Sequence, residues 1–411
     1  MRAVVYRGVN DLRLETVPVP RLGAHDLLVK VAVCGVCPTD IKKIQHGTVP
    51  PPRIFGHETA GTIVQIGPGN LSHVTRHSSL RVGDRVALHH HVPCLDCHYC
   101  RHRAYAQCET YKRTGITAGF EPAGGGYAEY VRVMPFVLPG VVKIPPKNSF
   151  EEGAMLEPVN TVLKAVRRLN LLRGDTVLVA GQGPIGLMFT RLLQLEGVNV
   201  LATDLLPARL RLAKKYGARW TFNPRPGRAE LPLRRDARQR VPTSQLSTLN
   251  PQRSLDCAVI AVPSDAVVRE ALALVRPGGQ VLLFAHTKRA EMVGRVSPLR
   301  AATSPSSGGA HGVTRPTITH SFPQPLGASK RSEDGSSLDF SSICLDEKDL
   351  IGSYSSDFTL QREVARLVFS RQLDVRKLIT HRFPLEQTAA AVALAASPTP
   401  ASLKILVRAE I

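Results

Sequence analysis

Four of the chain's eight cysteines fall in one short stretch, Cys94-x2-Cys97-x2-Cys100-x7-Cys108. Two-residue gaps let neighbouring thiolates turn back onto a single ion, and four sulfurs complete a closed tetrahedral zinc site. In a long chain without a secretion signal such spacing points to metal rather than to disulfides. A closed site leaves no open position for a substrate, so this zinc is expected to be structural, organising a lobe of loop-type residues. A second group of potential ligands is scattered: Cys37 in Cys37-Pro38-Thr39-Asp40, His57 and Glu58 in Gly56-His57-Glu58, and Glu157 in Leu156-Glu157-Pro158. Singly each has a plain structural reading, Cys37 as a small buried hydrophobe, His57 as a turn residue and Glu157 as a carboxylate favoured at a helix start.

A third pattern concerns phosphate. Gly181-Gln182-Gly183-Pro184-Ile185-Gly186 fits G-x-G-x-x-G, directly after the apolar run Thr176–Ala180 and opening a helical stretch. The first Gly permits a tight turn, the second lets backbone approach a pyrophosphate, and the third allows close helix–strand contact. The helix N-terminus offers its free N–H groups and partial positive charge to the phosphates. Asp204 ends the next apolar run, where a carboxylate accepts hydrogen bonds from an adenosine ribose and repels a 2′-phosphate. NAD is therefore expected over NADP, with Arg209 close enough to soften the preference.

The elements that must position these residues change character once. Residues up to about 150 read as β-rich, with short apolar runs such as Leu27–Val31 and Gly61–Ile66 punctuated by Gly, Pro and Asp. From about Glu151, strands alternate with helices, which implies βαβ units and a parallel sheet. Two stretches break the alternation. Arg225–Arg253 is rich in Arg, Pro and Ser, and 287–342 carries Ser, Gly and Pro tracts that read as a disordered insertion.

Composition bounds the answer. The 411 residues exceed what one core usually serves, so two domains are expected. No window reaches the ~20 apolar residues of a membrane span, and the N-terminus lacks a signal-peptide core, so a cytoplasmic, non-membrane protein is expected. The net charge of +20 also describes many nucleic-acid binders. Much of it sits in Arg209–Arg240, where eleven Lys and Arg face only Glu230 and Asp236. No nucleic-acid recognition signature accompanies them, and the Pro punctuation reads as an irregular basic surface.

Taken together, the sequence resembles the zinc-dependent medium-chain alcohol dehydrogenase family. The matching motifs are Cys37-Pro38-Thr39-Asp40, Gly56-His57-Glu58-Thr59-Ala60-Gly61, Val82–Val86, the four-Cys lobe, Gly125–Val131, the glycine loop, Asp256 with Val275–Gly279, and Ile379–Pro384. Leu156-Glu157-Pro158 is more similar to the sorbitol and threonine dehydrogenase branch. The resemblance implies a GroES-like β-rich catalytic domain over 1–154, completed by 355–411. A Rossmann cofactor domain with a doubly wound parallel sheet would occupy 155–354. It implies two zinc ions per chain, one structural and one catalytic, with NAD as cofactor. Cys37 and His57 would be catalytic-zinc ligands, with Glu157 or Glu58 completing the shell. Asp40 would orient the His57 imidazole, and Thr39 would take the alcohol proton. Arg382 would approach the cofactor pyrophosphate. Lys42 occupies a position where many members carry a proton-relaying His, and His91 matches a histidine placed near the site in threonine dehydrogenase-like members. The implied reaction is reversible oxidation of a secondary alcohol, a polyol or an amino alcohol such as threonine, by a homodimer or homotetramer. The alternative, resting on charge, is a non-catalytic or nucleic-acid-binding protein on the same fold.

Overall fold

The computed structural model describes residues 1–69, 80–89, 91–114, 124–224, 255–285 and 340–409. The irregular stretch Arg225–Arg253 and the tract 287–339 lie outside them, as does most of the basic segment beyond Asn223. The final residues of the expected insertion differ from the expectation: Phe340–Leu345 is a short helix leading into the strand Asp349–Gly352.

Two sheets carry the fold. The first runs in the order Ile379–Pro384, Lys404–Arg408, Leu27–Gly35, Glu58–Ile66, Arg85–Leu88, Val142–Lys143, with Tyr130–Val133 also paired to Leu27–Gly35. Its central strand is buried at nearly every position, as a strand covered on both faces must be. A smaller sheet of Asp11–Thr16, Arg2–Gly8 and Arg53–Ile54 lies beside it. The second large sheet has the order Trp220–Phe222, Asn199–Thr203, Thr176–Ala180, Leu255–Ile260, Val275–Leu283, Asp349–Gly352. All its pairings are parallel. The chain order reverses beside Thr176–Ala180, the place where open parallel sheets bind ligands.

The helix Leu156–Val166 connects the two parts. Leu156, Val159, Val162, Leu163 and Val166 recur at helical spacing and join one core with Val177, Val179 and Leu187. Glu157, Asn160 and Lys164 form a polar stripe on the same helix, and the first two are buried as well. A buried polar stripe needs partners: Asn160 finds them in Asp357 and Gln361, and Lys164 in the Tyr354 carbonyl.

Candidate active site

The segment from Val92 to Tyr111 folds around sulfur. The Sγ separations are 3.9 Å for Cys94–Cys100, 3.5 Å for Cys97–Cys100 and 3.7 Å for Cys94–Cys108. A tetrahedron with Zn–S bonds of about 2.3 Å has edges of about 3.8 Å. All four thiols are free rather than disulfide-bonded. The Cys97 N–H donates to Cys94 Sγ at 3.3 Å, and the Cys94 N–H donates to Cys108 Sγ at 3.4 Å. Backbone N–H groups of Asp96 and Cys97 pull the Cys94 thiol down to about 6, towards the thiolate a metal needs. These residues fit a structural zinc ion. Cys108→Ser is expected to cost one zinc per chain and to lower the melting temperature, because Cys108 is fully buried at the centre of the lobe. Elemental analysis with a thermal melt checks this; full zinc content and an unchanged melt would remove the assignment.

The second donor set is assembled by strand register. Leu27–Gly35 pairs antiparallel with Glu58–Ile66, with Gly35 opposite Glu58. The end of one strand therefore meets the start of the other. Cys37 follows the first as N-cap of the helix Pro38–His46, and its side chain makes no capping bond. His57 precedes the second. One ligand atom each from Cys37, His57 and Glu58 lie within 4.8 Å of one another.

The surroundings are strongly anionic. His57 Nδ1 lies 3.1 Å from Asp40 Oδ2, which also accepts from the Gly56 N–H at 3.2 Å. Burial works against a charged His57, yet Asp40 and Cys37 hold its pKa well above the usual value. Glu157, fully enclosed, is pushed up to about 7 by burial. Enclosed carboxylates and a thiol around one imidazole are a cradle for a cation, and thiolate, imidazole and carboxylate are zinc's own ligand types. The residues fit a zinc ion here too. Glu58 belongs to the close group and Glu157 stands outside it.

Glu58 has a partner that sequence reading missed. Lys404 Nζ forms an ion pair with Glu58 and donates to the Val36 carbonyl at 3.0 Å. Burial lowers the Lys404 pKa, but Glu58 and Cys37 outweigh it and keep the pKa raised. Gly35 makes room for this arrangement, since a Cβ there would lie 1.8 Å from Glu58 Oε2. A lysine inside the apolar run Leu403–Val407 was the one available signal.

His91 is enclosed, with Nδ1 2.7 Å from Ser356 Oγ and 3.5 Å from Glu157 Oε1, and its ring lies 6.2 Å from that of His57. His89 is fully buried, and His90 lies outside the described residues. Thr39 and Lys42 occupy the helix Pro38–His46, both half-buried. Burial lowers the Lys42 pKa.

The dinucleotide loop has the expected local form. Gly181 has φ +92°, and its N–H donates to the Thr203 carbonyl at 2.8 Å. A Cβ on Gly186 would lie 1.8 Å from the Gly181 carbonyl oxygen, so only glycine permits this approach of helix to strand. Nothing lies within 4 Å of a Cβ placed on Gly183, leaving open space where a phosphate needs it. Pro184 occupies the first turn of the helix Pro184–Leu195, which has no side-chain cap, and Ile185 packs against the core. Asp204 accepts the Gln182 N–H at 2.7 Å and the Leu206 N–H at 2.8 Å. Arg209 stands 3.8 Å from Asp204 and donates to the Ser402 carbonyl at 3.4 Å.

Arg382 has a protein partner in Glu151. Its guanidinium is held in a two-pronged ion pair by Glu151 at 2.7 Å, and Arg408 joins the same carboxylate. The pair uses the Nε and Nη2 groups of Arg382.

Comparisons with known proteins agree with this architecture. The Alcohol dehydrogenase GroES-like domain family matches residues 23–146, and the Zinc-binding dehydrogenase family matches 184–306. A probable D-xylulose reductase A of Emericella nidulans is 32% identical over 284 residues, covering 67% of this chain and 72% of that protein. A sorbitol dehydrogenase of Bombyx mori is 28% identical across 99% of this chain and 98% of its own. Among solved structures, alcohol dehydrogenase TADH from Thermus sp. ATN1 superposes with a TM-score of 0.69 at 27% identity, over 99% of both chains. With two zinc-compatible donor sets and a glycine loop on a parallel sheet already in place, these matches show that the chain belongs to the zinc-dependent medium-chain alcohol dehydrogenases, in the sorbitol dehydrogenase-like branch.

Proposed function

We propose that this protein is an NAD-dependent polyol dehydrogenase, and that the carrying observation is the enclosed Cys37–His57–Glu58 group of the catalytic region. A zinc ion held by Cys37 and His57, with Glu58 or Glu157 and water, would polarise an alcohol oxygen and lower its pKa. Thr39 takes the hydroxyl proton, since its own hydroxyl donates and accepts at once. Asp40 holds the His57 ring in a ligating orientation. Lys42 would provide the onward route for the proton, its pKa lowered by partial burial. The dinucleotide phosphates lie over Gly181, Gly183 and the first turn from Pro184 to Gly186, and the adenosine ribose hydroxyls reach Asp204. Arg382, with the N–H groups that Glu151 does not take, would approach the pyrophosphate.

The xylulose and sorbitol acting relatives support a polyol as the alcohol. The proposed division of the chain is a catalytic part, 1–154 with 355–411, and a cofactor part, 155–354. Among the described residues no helix is long and apolar enough to cross a membrane. A cytoplasmic dimer or tetramer belongs to the same proposal, tested by fractionation and light scattering. No observation favours the nucleic-acid alternative.

The test is NADH formation by the zinc-loaded protein across polyols, threonine and simple secondary alcohols. Turnover on polyols is expected. A folded, zinc-loaded protein inactive on the whole panel would refute the reading. A second outcome concerns the cofactor: Asp204→Ala removes the charge that repels a 2′-phosphate and the acceptor for the ribose. The ratio of kcat/KM for NADP over NAD should rise at least about tenfold, equivalent to about 1.4 kcal/mol. An unchanged ratio would take Asp204 out of cofactor selection.

A further inference from the structure

The loop Tyr354–Asp357 leaves the last strand of the cofactor sheet and lies along the polar stripe of the linking helix. Lys164 Nζ donates to the Tyr354 carbonyl at 2.9 Å. Asn160 acts at both backbone groups of Asp357: its Nδ2 donates to the carbonyl at 2.9 Å and its Oδ1 accepts the N–H at 2.8 Å. Asn160 is fully buried, so this pairing cannot be exchanged for water without loss. Between the two anchors Ser355 has φ +62°, in the left-handed region that residues other than glycine seldom occupy. The pinned backbone leaves Ser356, itself buried, between two imidazoles: its Oγ is 2.7 Å from His91 Nδ1 and 3.4 Å from His89 Nε2.

One hydroxyl proton must serve this bridge. His89 is fully buried, and its Nδ1 makes no hydrogen bond. An orphaned buried N–H is the rarer and costlier arrangement, so the His89 proton belongs on Nε2, donating to Ser356 Oγ. Burial agrees, pushing His89 down to about 3, so the ring carries a single proton. Ser356 Oγ–H then turns to the other ring and donates to His91 Nδ1. An Nδ1 that accepts leaves the His91 proton on Nε2. Glu157 Oε1 is 3.5 Å from the same Nδ1, so the serine at 2.7 Å makes the closer and stronger bond.

We propose that Ser356 is a positioning residue of the active site, which locks His91 as the Nε2–H tautomer and fixes its ring beside the Cys37–His57–Glu58 group. His91 thereby presents an N–H donor to a substrate oxygen. A polyol has a second hydroxyl next to the reacting one, and such a donor recognises it; a simple alcohol offers nothing there. The consequence for turnover rests on the polyol dehydrogenase reading, whereas the tautomer does not.

The experiment uses the full-length zinc-loaded protein labelled with 15N-histidine, the His91 ring being assigned by comparison with His91→Gln. The wild-type ring nitrogens should show the Nε2–H pattern; an Nδ1–H or doubly protonated ring would overturn the proposal even if the enzyme is active. Ser356→Ala should change the His91 signal, and Ser356→Thr, which keeps the hydroxyl, should restore it. For activity, Ser356→Ala should raise KM for a vicinal diol about tenfold with kcat changed less, leave KM for a simple secondary alcohol nearly as it was, and be rescued by Ser356→Thr. Equal loss on both alcohols, or loss without a change in the His91 signal, would show a merely structural serine and reject the proposal. Absence of turnover on every alcohol, with the tautomer as expected, would reject the dehydrogenase reading and leave the positioning role standing.

Discussion

Cys37→Ser is expected to lower kcat at least about 1,000-fold while the protein stays folded and keeps its dinucleotide affinity. Loss of the thiolate removes the soft ligand from the Cys37, His57 and Glu58 group, and the Lewis acidity that group supports disappears with it. The fold should not suffer, for a reason visible in the helix it begins. Cys37 is the N-cap of Pro38–His46 and makes no side-chain capping bond. Serine is among the best N-cap residues, so a side chain released from a metal could gain about 0.5–1 kcal/mol as a cap. The glycine loop and Asp204 belong to the other sheet and are untouched. Turnover, zinc content, a thermal melt and NADH fluorescence titration together decide the matter. Full activity in Cys37→Ser would show the assignment of this catalytic site to be wrong.

Gly186→Ala carries the second large effect, and two opposing terms have to be weighed. Alanine is the better helix former by about 1 kcal/mol. The added Cβ, however, would sit 1.8 Å from the Gly181 carbonyl oxygen, a backbone atom with no rotamer to change. Relieving that overlap requires helix and strand to separate, at about 1–3 kcal/mol for overpacking of this kind. The steric term wins. It also moves the loop residues Gly181 and Gly183 away from the helix N-terminus that must face the phosphates. A lower melting temperature and a dinucleotide Kd weakened at least about tenfold are expected, read by thermal melt and calorimetry. Wild-type values in both would mean that the Gly186 contact does not constrain the loop. The control is Gly183→Ala, whose Cβ meets no protein atom within 4 Å. It should leave the melt unchanged and weaken only binding.

Much of the site was legible because its signals are local. The spacing of Cys94, Cys97, Cys100 and Cys108 sets their sulfurs around one point whatever the rest of the chain does. The glycine loop likewise needs only a strand before it and a helix after it. The strand Trp220–Phe222 escaped notice because three residues bordering a basic, Pro-rich stretch show no periodicity. Lys404 and Ser356 escaped because their roles depend on partners far away in sequence: Lys404 meets Glu58, and Ser356 meets His89 and His91.

Residue types and short spacings by themselves determined the chemistry available to this chain: a closed four-sulfur zinc lobe, a phosphate-binding turn, and a thiol, an imidazole and carboxylates of zinc-ligand type. Tertiary structure decided which of these meet. Antiparallel register sets Gly35 opposite Glu58 and so draws Cys37 and His57 together. It sets Arg382 beside Glu151, where guanidinium and carboxylate form a two-pronged pair. It also sets Ser356 between His91 and the buried His89. The physical reason is the same in each case. Ligand chemistry is a property of side chains and travels with the sequence, whereas burial and pairing are properties of distances, which only the folded chain sets.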